Sequence, residues 1–131
     1  MVHLVTAVIK PHRLEDVKEA LRGAGVVGMV GKITKLAAGV MMTHFHRSEV
    51  DTDLLAEVAR VAGAPARVVD AATETATARH FFEVCMAEGA IEPLRELCRR
   101  AAANCEAHVS GALDVEVHLV DFDGTEEIAR S

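Results

Sequence analysis

The chain has 131 residues, half of them hydrophobic and 26% charged, with a formal net charge of −6. That supports one apolar core, and an acidic balance without a basic cluster excludes a protein that tracks nucleic-acid phosphates, whose affinity comes from lysine and arginine. No apolar run approaches the roughly 20 residues that cross a bilayer and no charged-then-apolar leader opens the chain, so a single cytoplasmic domain without membrane insertion is expected.

Residues 2–9 are apolar almost throughout, as in a strand covered on both faces, and Lys10-Pro11 ends the run. Leu14, Val17, Ala20, Leu21 and Ala24 then recur at helical spacing, with Arg13, Glu15, Asp16, Lys18, Glu19 and Arg22 largely between them. Gly23 and Gly25 close this helix, and residues 26–36 supply a second strand. Residues 37–39 are expected to turn into a third strand over 40–47. Ser48 would cap a helix whose apolar face is Leu54, Leu55, Val58, Val61 and Ala62, stopped by Gly63-Ala64-Pro65. Residues 67–71 are expected as a fourth strand, completing a ferredoxin-like βαββαβ core over residues 1–72.

Residues 73–131 form an extension of the same domain. Thr75 or Thr77 caps a helix carrying Phe81, Phe82, Val84, Cys85 and Met86, which breaks near Gly89 and restarts at Pro93. Leu94, Leu97, Cys98, Ala101, Ala102 and Cys105 share one side of the continuation, which Ser110-Gly111 ends. Val115, Val117 and Leu119 alternate with Glu116, His118 and Val120 in a final edge strand, followed by the turn 121–124 and a frayed acidic tail. The predicted class is α+β, a ferredoxin-like core with a C-terminal helical extension and a final edge strand.

The run from Leu4 to Met29 carries Lys10-Pro11, Asp16-Val17-Lys18-Glu19-Ala20-Leu21 and Gly25-Val26-Val27-Gly28-Met29 in order. It resembles the start of the nitrogen-regulatory PII signalling family, trimeric proteins with a ferredoxin-like core. The resemblance implies a homotrimer that senses a small molecule, ATP or ADP, in clefts between subunits. It implies that Val8, Gly28, Met29 and Val30 line an adenine pocket with Gly39 near the phosphates; Arg67 is the candidate phosphate partner. The chain departs from that family at Val30, at Leu36-Ala37-Ala38-Gly39-Val40, and in having no tyrosine and no glycine-rich basic loop. A hairpin over residues 37–47 would mean that the family's partner-contacting T-loop is lost. In a second alignment residues 37–72 are a remodelled T-loop, and the last helix and strand complete the core. The family's role is more that of a sensor, with a possible protein partner, than of an enzyme.

Two alternatives belong to other classes. His44 and His46 share one face of a strand and, with His118 or Glu49, have the donor chemistry for Zn or Cu. His44, His46 or His80 also suits the acid or base of a small ferredoxin-like enzyme. The three cysteines, Cys85, Cys98 and Cys105, lack a close pair and are expected to pack as free thiols.

Overall fold

The computed structural model describes residues 25–41, 49–111 and 114–131. In chain order they form strand β1 (Gly25–Gly28), helices α1 (Val30–Ala37), α2 (Thr52–Val61), α3 (Ala66–Glu74), α4 (Ala78–Ala87) and α5 (Glu92–His108), and strands β2 (Glu116–Val120) and β3 (Glu127–Arg130). The class is mixed α+β, as expected. The expected opening strand with Val8, the expected first helix, Ser48, and His44 and His46 of the expected third strand lie outside the described residues.

Two expected strands are helices. Residues 26–36 are rich in valine and isoleucine, but the strand stops at Gly28 and α1 begins at Val30. The reason is period: Val30, Ile33, Thr34, Leu36 and Ala37 are buried at helical spacing, while Lys32 and Lys35 stay partly exposed. Likewise residues 67–71 belong to α3, where Val68 and Ala72, one turn apart, are both fully buried. A short apolar run does not distinguish a strand from a buried helix face. The βαββαβ unit expected to end near residue 72 therefore lacks its strands at 30–36 and 67–71.

The later helices follow their sequence signals. Asp51 caps α2 by accepting from the Leu54 amide at 2.9 Å, three residues beyond the serine expected in that role. Thr77 caps α4 through the His80 amide at 3.2 Å. Pro93 sits in the first turn of α5, where its missing amide costs nothing. At the other end of α5, Ser110 takes a left-handed φ of 55°, and the Gly111 amide returns to the Glu106 carbonyl at 2.9 Å.

Strand β2 pairs parallel with β1 and antiparallel with β3, in the order β1-β2-β3. It is thus central among the described strands, not an edge. The expected frayed tail is strand β3. Asp121 makes the reversal: its carboxylate accepts from the Thr125 amide at 2.9 Å and the Glu126 amide at 3.3 Å, and its carbonyl accepts from the Gly124 amide at 3.0 Å. The bonds to its carboxylate, those from Thr125 foremost, hold the Asp121 carboxyl below the usual carboxylate range.

Val117 and Leu119 of β2 and Ala129 of β3 are buried, and α5 packs on both strands. Helix α1 packs chiefly on α5, so Ile33 and Leu36 join Leu94, Leu97, Cys98 and Ala101 in one core with Leu55, Val58, Val68 and Phe81. Burial of such side chains contributes about 1.5–3 kcal/mol each, which fixes α1 and thereby the cleft at its start.

Candidate functional site

Three helices begin around one cleft of about 900 Å³. Met29, Val30, Gly31, Lys32, Thr34 and Lys35 of α1 and its cap form one wall. Glu49, Val50 and the cap Asp51 bring the start of α2, and Ala76, Thr77, Ala78 and Arg79 the start of α4. Phe122, in the turn after β2, closes the outline with Ala38 and Val40. The walls are largely apolar, and Lys32, Lys35, Arg79, Glu49 and Asp51 add a mixed set of charges. Such a cleft is sized for an organic ligand rather than an ion.

Local sequence explains the shape. No side chain among the described residues caps α1, and the first backbone bond of that helix runs from the Ile33 amide to the Met29 carbonyl at 3.2 Å. The opening amides of α1 therefore lie at the cleft wall with the positive end of the helix dipole. Gly31 leaves the wall open: a Cβ there would meet nothing within 4 Å. Thr34 is buried, its hydroxyl donating to the Val30 carbonyl at 2.7 Å, which keeps its polarity inside the helix.

Arg79 stands at the rim with two side-chain contacts. Its guanidinium carbon lies 4.3 Å from the centroid of the Phe122 ring, and its Nε donates to Glu83 at 3.0 Å. Phe122 is braced in turn by Phe82, edge to face, with centroids 5.3 Å apart.

Of the residues singled out in the sequence, Met29 and Val30 line this cleft. Gly28 is the last residue of β1, paired with Leu119, and does not line it. Gly39, with φ 84°, lies between Ala38 and Val40 of the cleft lining but is not itself part of it. Arg67 pairs with Glu88 at 3.1 Å and does not line this cleft. His118 lies on β2 between two carboxylates: Nε2 is 2.6 Å from Glu116, and Nδ1 contacts Glu127. Among the described residues no group of three or more His, Cys, Asp or Glu side chains is placed to hold a metal. Among them too, no helix is long and apolar enough to cross a membrane.

The sequence reading passed over Lys32, Arg79 and Phe122. One signal for the first two was legible: each is a cation in the first turn of a helix that has no acid there. That is against the dipole preference by about 0.3–1 kcal/mol. Phe122 was read only as part of a turn, and nothing local marks its partner across the fold.

The CbiD C-terminal domain family matches residues 42–130. Cobalt-precorrin-5B C(1)-methyltransferase of Rubrobacter xylanophilus is 45% identical over 117 residues, covering 87% of this chain and 30% of that protein. The protein of the same name from Salinispora tropica is 42% identical over 116 residues, covering 88% and 30%. That from Thermus thermophilus is 39% identical over 113 residues, covering 82% and 31%. The chain thus spans about a third or less of the length of these curated relatives. No solved structure matches it.

These relationships overturn the PII resemblance. That resemblance rested on Leu4 to Met29, a short strand–helix pattern that many folds share, and it left residues 73–131 without a counterpart; the family match covers all but the last of those residues. The nucleotide-sensing reading falls with it. So do the metal-binding PII-fold alternative through His44, His46 and His118 and the small ferredoxin-like enzyme with a histidine acid or base. Residues 42–130 carry the evidence for kinship, and the chain belongs to the CbiD C-terminal domain family.

Proposed function

We propose that this chain serves the C-methylation of a cobalt-precorrin, and that its cleft receives part of that macrocycle. The single observation that carries the reading is the 45% identity to a cobalt-precorrin-5B C(1)-methyltransferase over 87% of the chain. The cleft supports it: its volume, its apolar walls and its polar helix starts suit a flat organic ligand with charged groups at the rim. In the reaction a carbon–carbon bond forms at C-1 of the macrocycle, and the bond between the methyl group and its leaving group breaks. Within the chain's reach are positioning and exclusion of water. Helix starts and cations orient the macrocycle, and Met29, Val50 and Phe122 shed water from its face.

A chimera tests this reading. The matching segment of the Rubrobacter xylanophilus protein is replaced by this chain, and methyl incorporation into cobalt-precorrin-5B is followed by mass spectrometry. Retained methylation supports the reading. A folded chimera that binds neither substrate nor product and transfers no methyl group contradicts it.

A further inference from the structure

We propose that Arg79 is a specificity-determining residue of the cleft, selecting a ligand that bears a free carboxylate; this rests on the reading of the cleft as a macrocycle site. The guanidinium is held on two sides. Its central carbon lies 4.3 Å from the Phe122 centroid, and Phe122 is itself braced by the buried Phe82. Its Nε edge is taken by Glu83 at 3.0 Å. The two terminal nitrogens have no protein acceptor among the described residues, although Arg79 lines the cleft. A planar fork fixed in this way loses little further freedom on meeting a carboxylate, which it matches with parallel N–H···O bonds.

Position adds a second argument. Arg79 stands in the first turn of α4, where the helix dipole disfavours a cation, and that turn contains no acid to compensate. Glu83, one turn on, is 54% exposed and offsets the charge only weakly. An anion arriving in the cleft faces both the guanidinium and the positive end of the helix. Lys32, in the first turn of α1, adds charge of the same sign to the wall. A carboxylate can come from an acid arm of the macrocycle or from the amino-acid end of a methyl donor, and the two are separable by experiment.

The full chain is titrated calorimetrically with cobyrinic acid, with its heptamethyl ester, and with S-adenosylmethionine, using wild type, Arg79→Gln and Arg79→Lys. Thermal unfolding checks that each variant folds. The expected result is that wild type prefers the acid to the ester by about tenfold or more, that Arg79→Gln binds the two alike, and that Arg79→Lys keeps part of the preference. If Arg79→Gln instead weakens S-adenosylmethionine by that factor, the selected carboxylate is the donor's. A preference for the acid, or an affinity for the donor, that is unchanged in Arg79→Gln overturns the role of Arg79 and leaves the macrocycle reading standing. Absence of binding by both corrinoids to wild type overturns that reading.

Discussion

The side-chain amide of Asn104, late in α5, donates to the Leu36 carbonyl at 2.9 Å. The same nitrogen reaches the Ala37 carbonyl at 2.9 Å, so one side chain closes the last turn of α1. Lys35 and Ala38 at that end line the cleft together with the first turn, so the bond anchors a helix that borders the cleft along its length. Asn104→Ala is expected to lose about 1–2 kcal/mol, seen as a lower urea midpoint with an unchanged slope. Asn104→Asp should lose at least as much, because a carboxylate has no donor to offer and faces the negative end of the helix dipole.

Arg100 joins two helices, with Glu57 of α2 at 3.2 Å and Glu96 of its own helix at 3.0 Å. Burial raises the Glu96 carboxyl, but hydrogen bonds from Arg100 and then Arg99 outweigh it and hold the group below its ordinary 4.5. A depressed carboxyl contributes stability that is present above about pH 4.5 and is lost as the pH falls through its folded value. Glu96→Gln should therefore flatten the acid limb of the stability profile. Denaturant melts of wild type and variant between pH 7 and pH 3 measure it; parallel profiles would contradict the assignment.

Burial pushes the Cys85 thiol up to about 12 and that of Cys98 up to about 11, and raises the half-buried Cys105 as well. The thiolate is the reactive form, so at pH 8 the folded chain should label first at Cys105 and leave Cys85 and Cys98 protected. In denaturant all three should react. Rapid labelling of Cys85 in the native state would contradict the packing of α4 on the core.

Ser110 holds a φ of 55° at the end of α5, a conformation that costs a side-chain-bearing residue about 1–2 kcal/mol. Ser110→Gly should stabilise the fold by about 0.5–1 kcal/mol, since glycine's larger unfolded-state freedom cancels part of the gain. A thermal melt shows this as a rise of a few degrees.

Legibility in the sequence followed the length and flanks of each segment. Helices α2, α4 and α5 were legible because apolar spacing and stops agreed over ten residues or more. Helices α1 and α3 read as strands in the sequence because they are short, eight and nine residues, and carry β-branched residues (Val30, Ile33 and Thr34; Val68 and Val69), so β propensity outweighs a period of barely two turns. Strand β3 escaped notice because its four residues hold only two apolar positions, Ile128 and Ala129, and its pairing depends on β2. In the cleft Met29 and Val30 were singled out, though for adenine and as parts of a strand. Arg79 and Phe122 meet across 43 positions of chain, a contact that no local pattern announces.

The most direct test of the proposed function is equilibrium titration of cobalt-precorrin-5B into wild type and Gly31→Leu, followed by visible absorbance under anaerobic conditions. Gly31 faces open space, so leucine there should fill the cleft while leaving the thermal midpoint nearly unchanged. The account predicts saturable binding to wild type, weakened by about tenfold or more in the variant. No binding to wild type, or equal binding by the two proteins, would contradict it.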